Sequence, residues 1–152
     1  DRGLPLMLHT GGIGVAPALD SLGHPIYVDE IACNFPKMVV IMGHCGRGFY
    51  DEAASILRKH VNVYADVSAN FAKLRDREYI FLQELIKRVK LWTGNVDKLL
   101  FGSDYPYYGQ KQTMNLLEMC LAPNDLIPIT KEDISQIKNV NTEEFCKRCE
   151  IY

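Results

Sequence analysis

Four short apolar runs, rich in branched side chains, alternate with longer amphipathic stretches, and this alternation constrains the fold more than any other feature of the chain. Strands are expected over residues 4–9, 38–44, 61–67 and 98–102. Helices are expected over 25–34, 49–59 and 76–91, with three more near the end, over 113–121, 131–138 and 142–148. Pro25 suits a helix start, where its missing N–H costs nothing. Asp51 and Glu52 fall in a first turn, where negative charge complements the helix dipole. Ile80, Leu82, Leu85, Ile86 and Val89 recur near one helical face. Continuous apolar strands alternating with helices mean a parallel sheet covered by helices. Two architectures satisfy that, a doubly wound open sheet or part of a (β/α)8 barrel. No G-x-G-x-x-G follows a strand with an acidic residue about 20 positions on, so the dinucleotide version lacks support. Gly11-Gly12-Ile13-Gly14 is glycine-rich, but no G-K-[ST] follows it.

With 152 residues the chain has room for one compact domain. Its 17 basic and 19 acidic residues give a net charge of -2, and the densest basic cluster, Lys87-Arg88-Val89-Lys90, reads as a solvated helix face. Nucleic acid is therefore not an expected partner. No apolar run approaches the ~18 residues that cross a bilayer, so no membrane association is expected. Five cysteines, Cys33, Cys45, Cys120, Cys146 and Cys149, make no spaced framework. An odd count without a signal segment points to a reducing, cytoplasmic setting. Cys146 and Cys149 form a C-x-x-C without two further ligands at matching spacing, which reads as two helix-end thiols. The chain opens at Asp1, without a methionine and directly before an apolar run, and is expected to continue from an earlier part of a protein.

The chemistry gathers at one kind of place. His9 closes the first expected strand, His44 closes the second, and Asp104 lies just past the fourth. Ligands in parallel α/β folds bind beyond the carboxyl ends of the strands. Two imidazoles and a carboxylate arriving there can hold a divalent metal. Singly, each has an ordinary structural reading, a hydrogen-bonded core histidine or a turn aspartate. Their coincidence, with Gly11, Gly43, Gly46 and Gly102 beside them, weighs toward a site, because glycine lets the backbone approach a ligand closely.

At this point the motifs resemble a family. Leu-His-Thr-Gly at 8–11, Ile-Met-Gly-His-Cys-Gly at 41–46, Asn-Val-Tyr-Ala-Asp-Val-Ser at 62–68 and Leu-Leu-Phe-Gly-Ser-Asp-Tyr-Pro at 99–106 are similar to the amidohydrolase-2 family. That branch of the amidohydrolase superfamily includes the aminocarboxymuconate-semialdehyde decarboxylase relatives. The closing Ile137-Lys138-Asn139-Val140-Asn141 resembles the family's final helix. The resemblance implies an α/β chain forming strands five to eight of a TIM (β/α)8 barrel, with 1–152 a single partial domain and the N-terminal half absent. It implies His9 as the strand-five metal ligand and His44 as the strand-six histidine that works on water or substrate. Asp104 becomes the strand-eight aspartate that binds metal and moves a proton. Ser103, Tyr105 and Pro106 shape that last loop, and Asp66 and Ser68 are weaker candidates.

The family's opening His-x-His has no counterpart here. Of the remaining histidines, His24 is expected at the surface and His60 at the opposite end of the barrel, without a role. The implied cofactor is a divalent metal, zinc in the first place, activating water against an amide, ester or lactone of a small-molecule substrate. Decarboxylation of a small aromatic or unsaturated acid is the alternative, and a non-catalytic binding or oligomerising domain is a third. The expected partner is the missing N-terminal barrel half or a second copy, and the fragment alone is expected to be inactive. The substrate is not legible. Phe49, Tyr50, Phe71, Tyr105, Tyr107 and Tyr108 follow strand ends, where aromatics either line a pocket or pack.

Overall fold

The structure, a computed structural model, describes residues 4–151. Four parallel strands form one sheet in sequential order: β1 (Leu6–Gly11), β2 (Val40–Arg47), β3 (Val63–Asp66) and β4 (Leu99–Leu100). The crossovers carry α1 (Ile26–Asn34), α2 (Tyr50–Lys59) and α3 (Ile80–Thr93), and α4 (Gln110–Met119), α5 (Lys131–Ser135) and α6 (Asn141–Arg148) follow β4. Among the described residues no helix is long and apolar enough to cross a membrane.

Strand alternation assigns the two faces. Val40, Met42, Val63, Ala65 and Leu99 point to one side, where they pack with Ala53, Ala54 and Leu57 of α2 and Leu82, Leu85, Ile86 and Val89 of α3. The intervening Ile41, Tyr64 and Leu100 point to the other side, the one that faces inward in a barrel. There α6 crosses the sheet: Phe145, Cys146 and Cys149 pack on Tyr64, Leu100, Val39 and Ile41. Phe145 meets the Tyr64 ring edge-on at 4.9 Å, and Arg148 Nη1 donates to the Tyr64 hydroxyl at 2.6 Å.

Several elements differ from the sequence expectation. β1 begins two residues later than expected and runs on to Gly11, so His9 lies within it rather than closing it. β2 likewise continues past His44 to Arg47. α3 starts at Ile80 rather than at 76, and Gly94 ends it in the left-handed conformation, φ 83°. The two helices expected over 131–138 and 142–148 are joined, because a π-turn over Gln136–Val140 runs straight into α6. Thr130 starts α5 with a capping box, its hydroxyl accepting from the Asp133 N–H while Asp133 accepts from the Thr130 N–H.

The two edges of the sheet are unlike. β4 turns its Lys98 and Leu100 carbonyls toward β3, where the Ala65 and Val67 N–H groups donate to them. Its opposite row is taken by α6: buried Asn141 donates from Nδ2 to the Leu99 and Val96 carbonyls at 2.9 and 2.8 Å, and the Thr142 hydroxyl accepts from the Phe101 N–H at 3.4 Å. Among the described residues no strand pairs on the outer side of β1, and Leu4, Leu6 and Met7 are exposed. Such an edge is one that proteins seldom leave uncovered.

Candidate active site

The expected residues lie toward the carboxyl ends of the strands, His9 and His44 within β1 and β2 and Asp104 in the loop after β4. In the β1–β2 register His9 stands opposite Gly43, so His44 follows directly beside it. The two imidazole rings meet edge-on with centroids 4.9 Å apart. Buried Thr10 fixes the junction, donating its hydroxyl to the Gly43 carbonyl at 2.7 Å and accepting from the Gly46 N–H at 2.9 Å. Gly11 is required there, since its φ is 102° and a Cβ would fall on the Arg47 backbone.

The backbone is held in sparsely populated conformations where the chemistry sits. His44 (φ 64°), Cys45 (φ 46°), Ala69 (φ 55°) and Asp104 (φ 66°) all lie in the left-handed region. Each costs of order 1 kcal/mol, and such strain persists only where the surroundings impose it. Around His44 those surroundings are explicit. His44 Nδ1 pairs with Ser68 Oγ at 2.7 Å, which leaves Nε2 available to a ligand. Asn70 Nδ2 donates to the carbonyls of His44, Val67 and Ser68, and its Oδ1 accepts from the Tyr50 hydroxyl at 2.8 Å.

Asp66 ties these parts together. It is 4 % exposed, and its Oδ1 accepts from the Ser68 N–H at 2.8 Å and the His44 N–H at 3.3 Å. Gly102 lies flush against it, since a Cβ there would stand 3.1 Å from Oδ1. Its other oxygen, Oδ2, is buried and has no hydrogen-bond partner among the described residues. A buried carboxylate oxygen with no donor is costly unless a cation or ligand completes it.

The surroundings of His9 favour its neutral form. Burial lowers its pKa below the usual imidazole value, and the neighbouring His44 and the Arg47 guanidinium push it the same way, against a smaller opposite pull from Asp104. A neutral imidazole is the form that binds metal. Arg47 itself is anchored by Nη2 to the Gly12 carbonyl at 2.7 Å and by Nη1 to the Ala69 carbonyl at 3.3 Å.

The structure thus brings His9 and His44 together and places Asp104 close enough to act on His9. One imidazole and carboxylates from Asp104 and Asp66 form a donor set that suits zinc or manganese, and the bare Asp66 Oδ2 fits a cation. These residues do not by themselves close a coordination shell. Among the described residues, three ligand atoms within 4.8 Å of one another occur at Asp29, Cys33 and His60 instead.

Two features escaped the sequence reading. Arg47 follows Gly-His-Cys-Gly, and only the bulge between His9 and Gly11, where Gly11 aligns with Arg47, turns it into the site. Asp66 is the weaker candidate in the sequence because the family varies at that position, and its orphaned oxygen is a property of packing that the sequence does not display. Of the aromatic residues, Phe71 and Tyr108 make an edge-on pair at 4.5 Å, whereas Tyr105 and Tyr107 are exposed.

Four parallel strands with helices on the outer face, and polar residues beyond their carboxyl ends, are half of a barrel of the TIM type. The chain belongs to the amidohydrolase-2 family, whose model, described as amidohydrolase, matches residues 1–145. Solved structures agree on the fold. An uncharacterised TIM-barrel protein of Bordetella bronchiseptica superimposes with a TM-score of 0.70 at 19% identity, over 98% of this chain and 47% of its own. A dihydroxybenzoic acid decarboxylase of a Polaromonas species, with bound manganese and the inhibitor 2-nitroresorcinol, gives 0.63 at 14% identity, over 95% and 50%. An amidohydrolase of Burkholderia multivorans with bound zinc gives 0.57 at 14% identity, over 77% and 46%. The chain therefore spans about half the length of these relatives. No curated protein matches the sequence.

Proposed function

We propose that this chain supplies the second half of the active site of a metal-dependent hydrolase that cleaves an amide, ester or lactone. The observation that supports it is the edge-on contact of the His9 and His44 rings at the carboxyl-end side of the sheet, with Asp104 acting on His9 and the buried Asp66 carboxylate accepting from the His44 N–H. His9 and Asp104 are the metal ligands in this reading, with Asp66 beside them. The metal, zinc in the first place, would polarise the substrate and activate water. His44, oriented through Nδ1 by Ser68, would take or return a proton at Nε2. Arg47 would bind a carboxylate on the substrate. The other strands come from a preceding barrel half or from a second copy docking at the open β1 edge. Five free cysteines suit a reducing cytoplasm.

A second reading is decarboxylation of a small aromatic acid. Arg47 favours it, because a guanidinium at the mouth of the site suits a carboxylated substrate, and one similar structure is a dihydroxybenzoic acid decarboxylase. The test is the assembled protein assayed with neutral esters and lactones, and separately for carbon dioxide release from 2,6-dihydroxybenzoate. Metal-dependent turnover should fall about 100- to 10,000-fold in His44→Gln with metal content unchanged. Arg47→Met should raise KM about 10- to 100-fold for the acid and leave a neutral ester unaffected. An assembled protein with neither bound metal nor turnover would be a binding domain, and the proposal would fall.

A further inference from the structure

At the far end of the sheet from His44, on the segment leading into β3, a second group of ligating side chains meets between α1 and α2. Asp29 and Cys33 are four residues apart on α1, a spacing that places both on one side of a helix. His60 directly follows α2 and is 9 % exposed. One Asp29 oxygen, the Cys33 sulfur and one His60 ring nitrogen lie within 4.8 Å of one another, with His60 Nε2 only 2.6 Å from Asp29 Oδ1. The Lys59 ammonium occupies the same spot, 2.8 and 3.0 Å from the two Asp29 oxygens, and it also lies against Cys33.

We propose that Asp29, Cys33 and His60 form a second, zinc-type metal site, separate from the candidate active site, with Lys59 standing in for the cation when the metal is absent. A thiolate, an imidazole and a carboxylate are the donors zinc takes in protein sites, with a water or a further ligand completing four-coordination. Spacing of their donor atoms is within reach of one ion after small side-chain adjustments.

The exchange balances in charge. Without metal the group holds the Lys59 ammonium against the Asp29 carboxylate, with the Cys33 thiol and the His60 imidazole beside them. On binding, the thiol releases its proton to solvent, the ammonium swings out, and a dication meets one thiolate and one carboxylate. Lys59 can leave cheaply because its side chain is 55% exposed. Asp29 and Lys59 also line a groove of about 420 Å3, which leaves solvent space beside the group for the displaced ammonium and a bound water. Such an ion would fasten α1 to the junction of α2 and β3. The competing account is a plain ion-pair cluster in which Lys59 is the permanent cation.

Titration of the protein with cobalt(II), a spectroscopic probe for zinc, separates the two accounts. A near-ultraviolet thiolate-to-cobalt absorption should appear and saturate at one equivalent, and zinc should displace it. The candidate active site supplies no sulfur ligand of this kind, since the neighbouring Cys45 thiol is fully buried and burial drives its pKa up. Cys33→Ser, an exposed position, should abolish the band, and His60→Gln should weaken binding at least about tenfold. Lys59→Met should tighten it about fivefold, the factor expected from removing one surface-strength ammonium competitor. Absence of the band, its persistence in Cys33→Ser, or unchanged or weaker binding in Lys59→Met would overturn the proposal. The lysine variant keeps the test decisive even if Cys33→Ser folds poorly.

Discussion

Asp66→Asn probes the orphaned oxygen directly, because it changes charge while keeping shape. The substitution retains Oδ1, so the bonds from Ser68 and His44 N–H survive in weaker, neutral form. Charge-assisted bonds are worth about 1.5–3 kcal/mol and neutral ones about 0.5–1.5, so the two together lose about 2 kcal/mol. The new amide N–H2 takes the place where Oδ2 met no donor, and left unpaired there it costs about 1–3 kcal/mol. Against both stands relief from burying an ion, which amounts to several kcal/mol. These opposing effects nearly cancel, and metal-free stability should stay within about 1 kcal/mol of the parent. Metal affinity should behave differently. A carboxylate that helps hold the ion should cost about 10- to 100-fold when neutralised, or about 1.4–2.8 kcal/mol. Urea unfolding without metal, paired with calorimetric titration of zinc or manganese into the assembled barrel, measures the two quantities separately. The reasoning is refuted if Asp66→Asn unfolds several kcal/mol more easily while binding metal as tightly as the parent, since Asp66 would then be a purely structural acceptor.

Asn141→Ala should destabilise the chain by about 2–3 kcal/mol, because the buried Val96 and Leu99 carbonyls lose their shared donor. Thermal unfolding should show it as a fall of about 5–10 °C for a domain of this size. His9 predicts a pH dependence whose sign follows from its lowered pKa. The unfolded chain takes up a proton near the ordinary imidazole value of about 6.5 while folded His9 takes it up at lower pH, so stability declines as pH falls through about 6.5 and levels off below the folded pKa. His9→Gln should flatten that acid limb in urea midpoints measured across pH 5–7, and an unchanged slope would exclude His9 as its source.

Strand–helix order was legible because continuous apolar runs need burial on both faces, which Val40, Met42, Val63 and Leu99 receive on one and Tyr64 and Leu100 on the other. The positions of His9, His44 and Asp104 could be read from the same order, since successive parallel strands present their carboxyl ends together. Boundaries were less legible. β1 outlasts His9 because Thr10 and Gly11 keep pairing with the end of β2 through a bulge, a tertiary effect that apolar counting does not capture. β4 is only two residues long, since α6 takes the hydrogen-bonding row that would lengthen it. The site's own details, an unpartnered Asp66 oxygen and a guanidinium turned toward His9, arise where segments distant in sequence meet. His60, expected to have no role, is engaged by Asp29 for the same reason.

The unequal edges of the sheet govern how copies of this chain can meet. A half-barrel with both edges bare would be a monomer for filament growth, each β4 receiving the β1 of the next molecule head to tail without closing. Asn141 and Thr142 remove one of the two faces that such a chain reaction needs. Among the described residues the outer side of β1 is then the edge left without a strand, while a further strand at β4 would have to displace Asn141 and Thr142. At that edge Asn141 acts as a terminator of strand addition, since its amide already occupies the Leu99 carbonyl that a neighbouring strand would use.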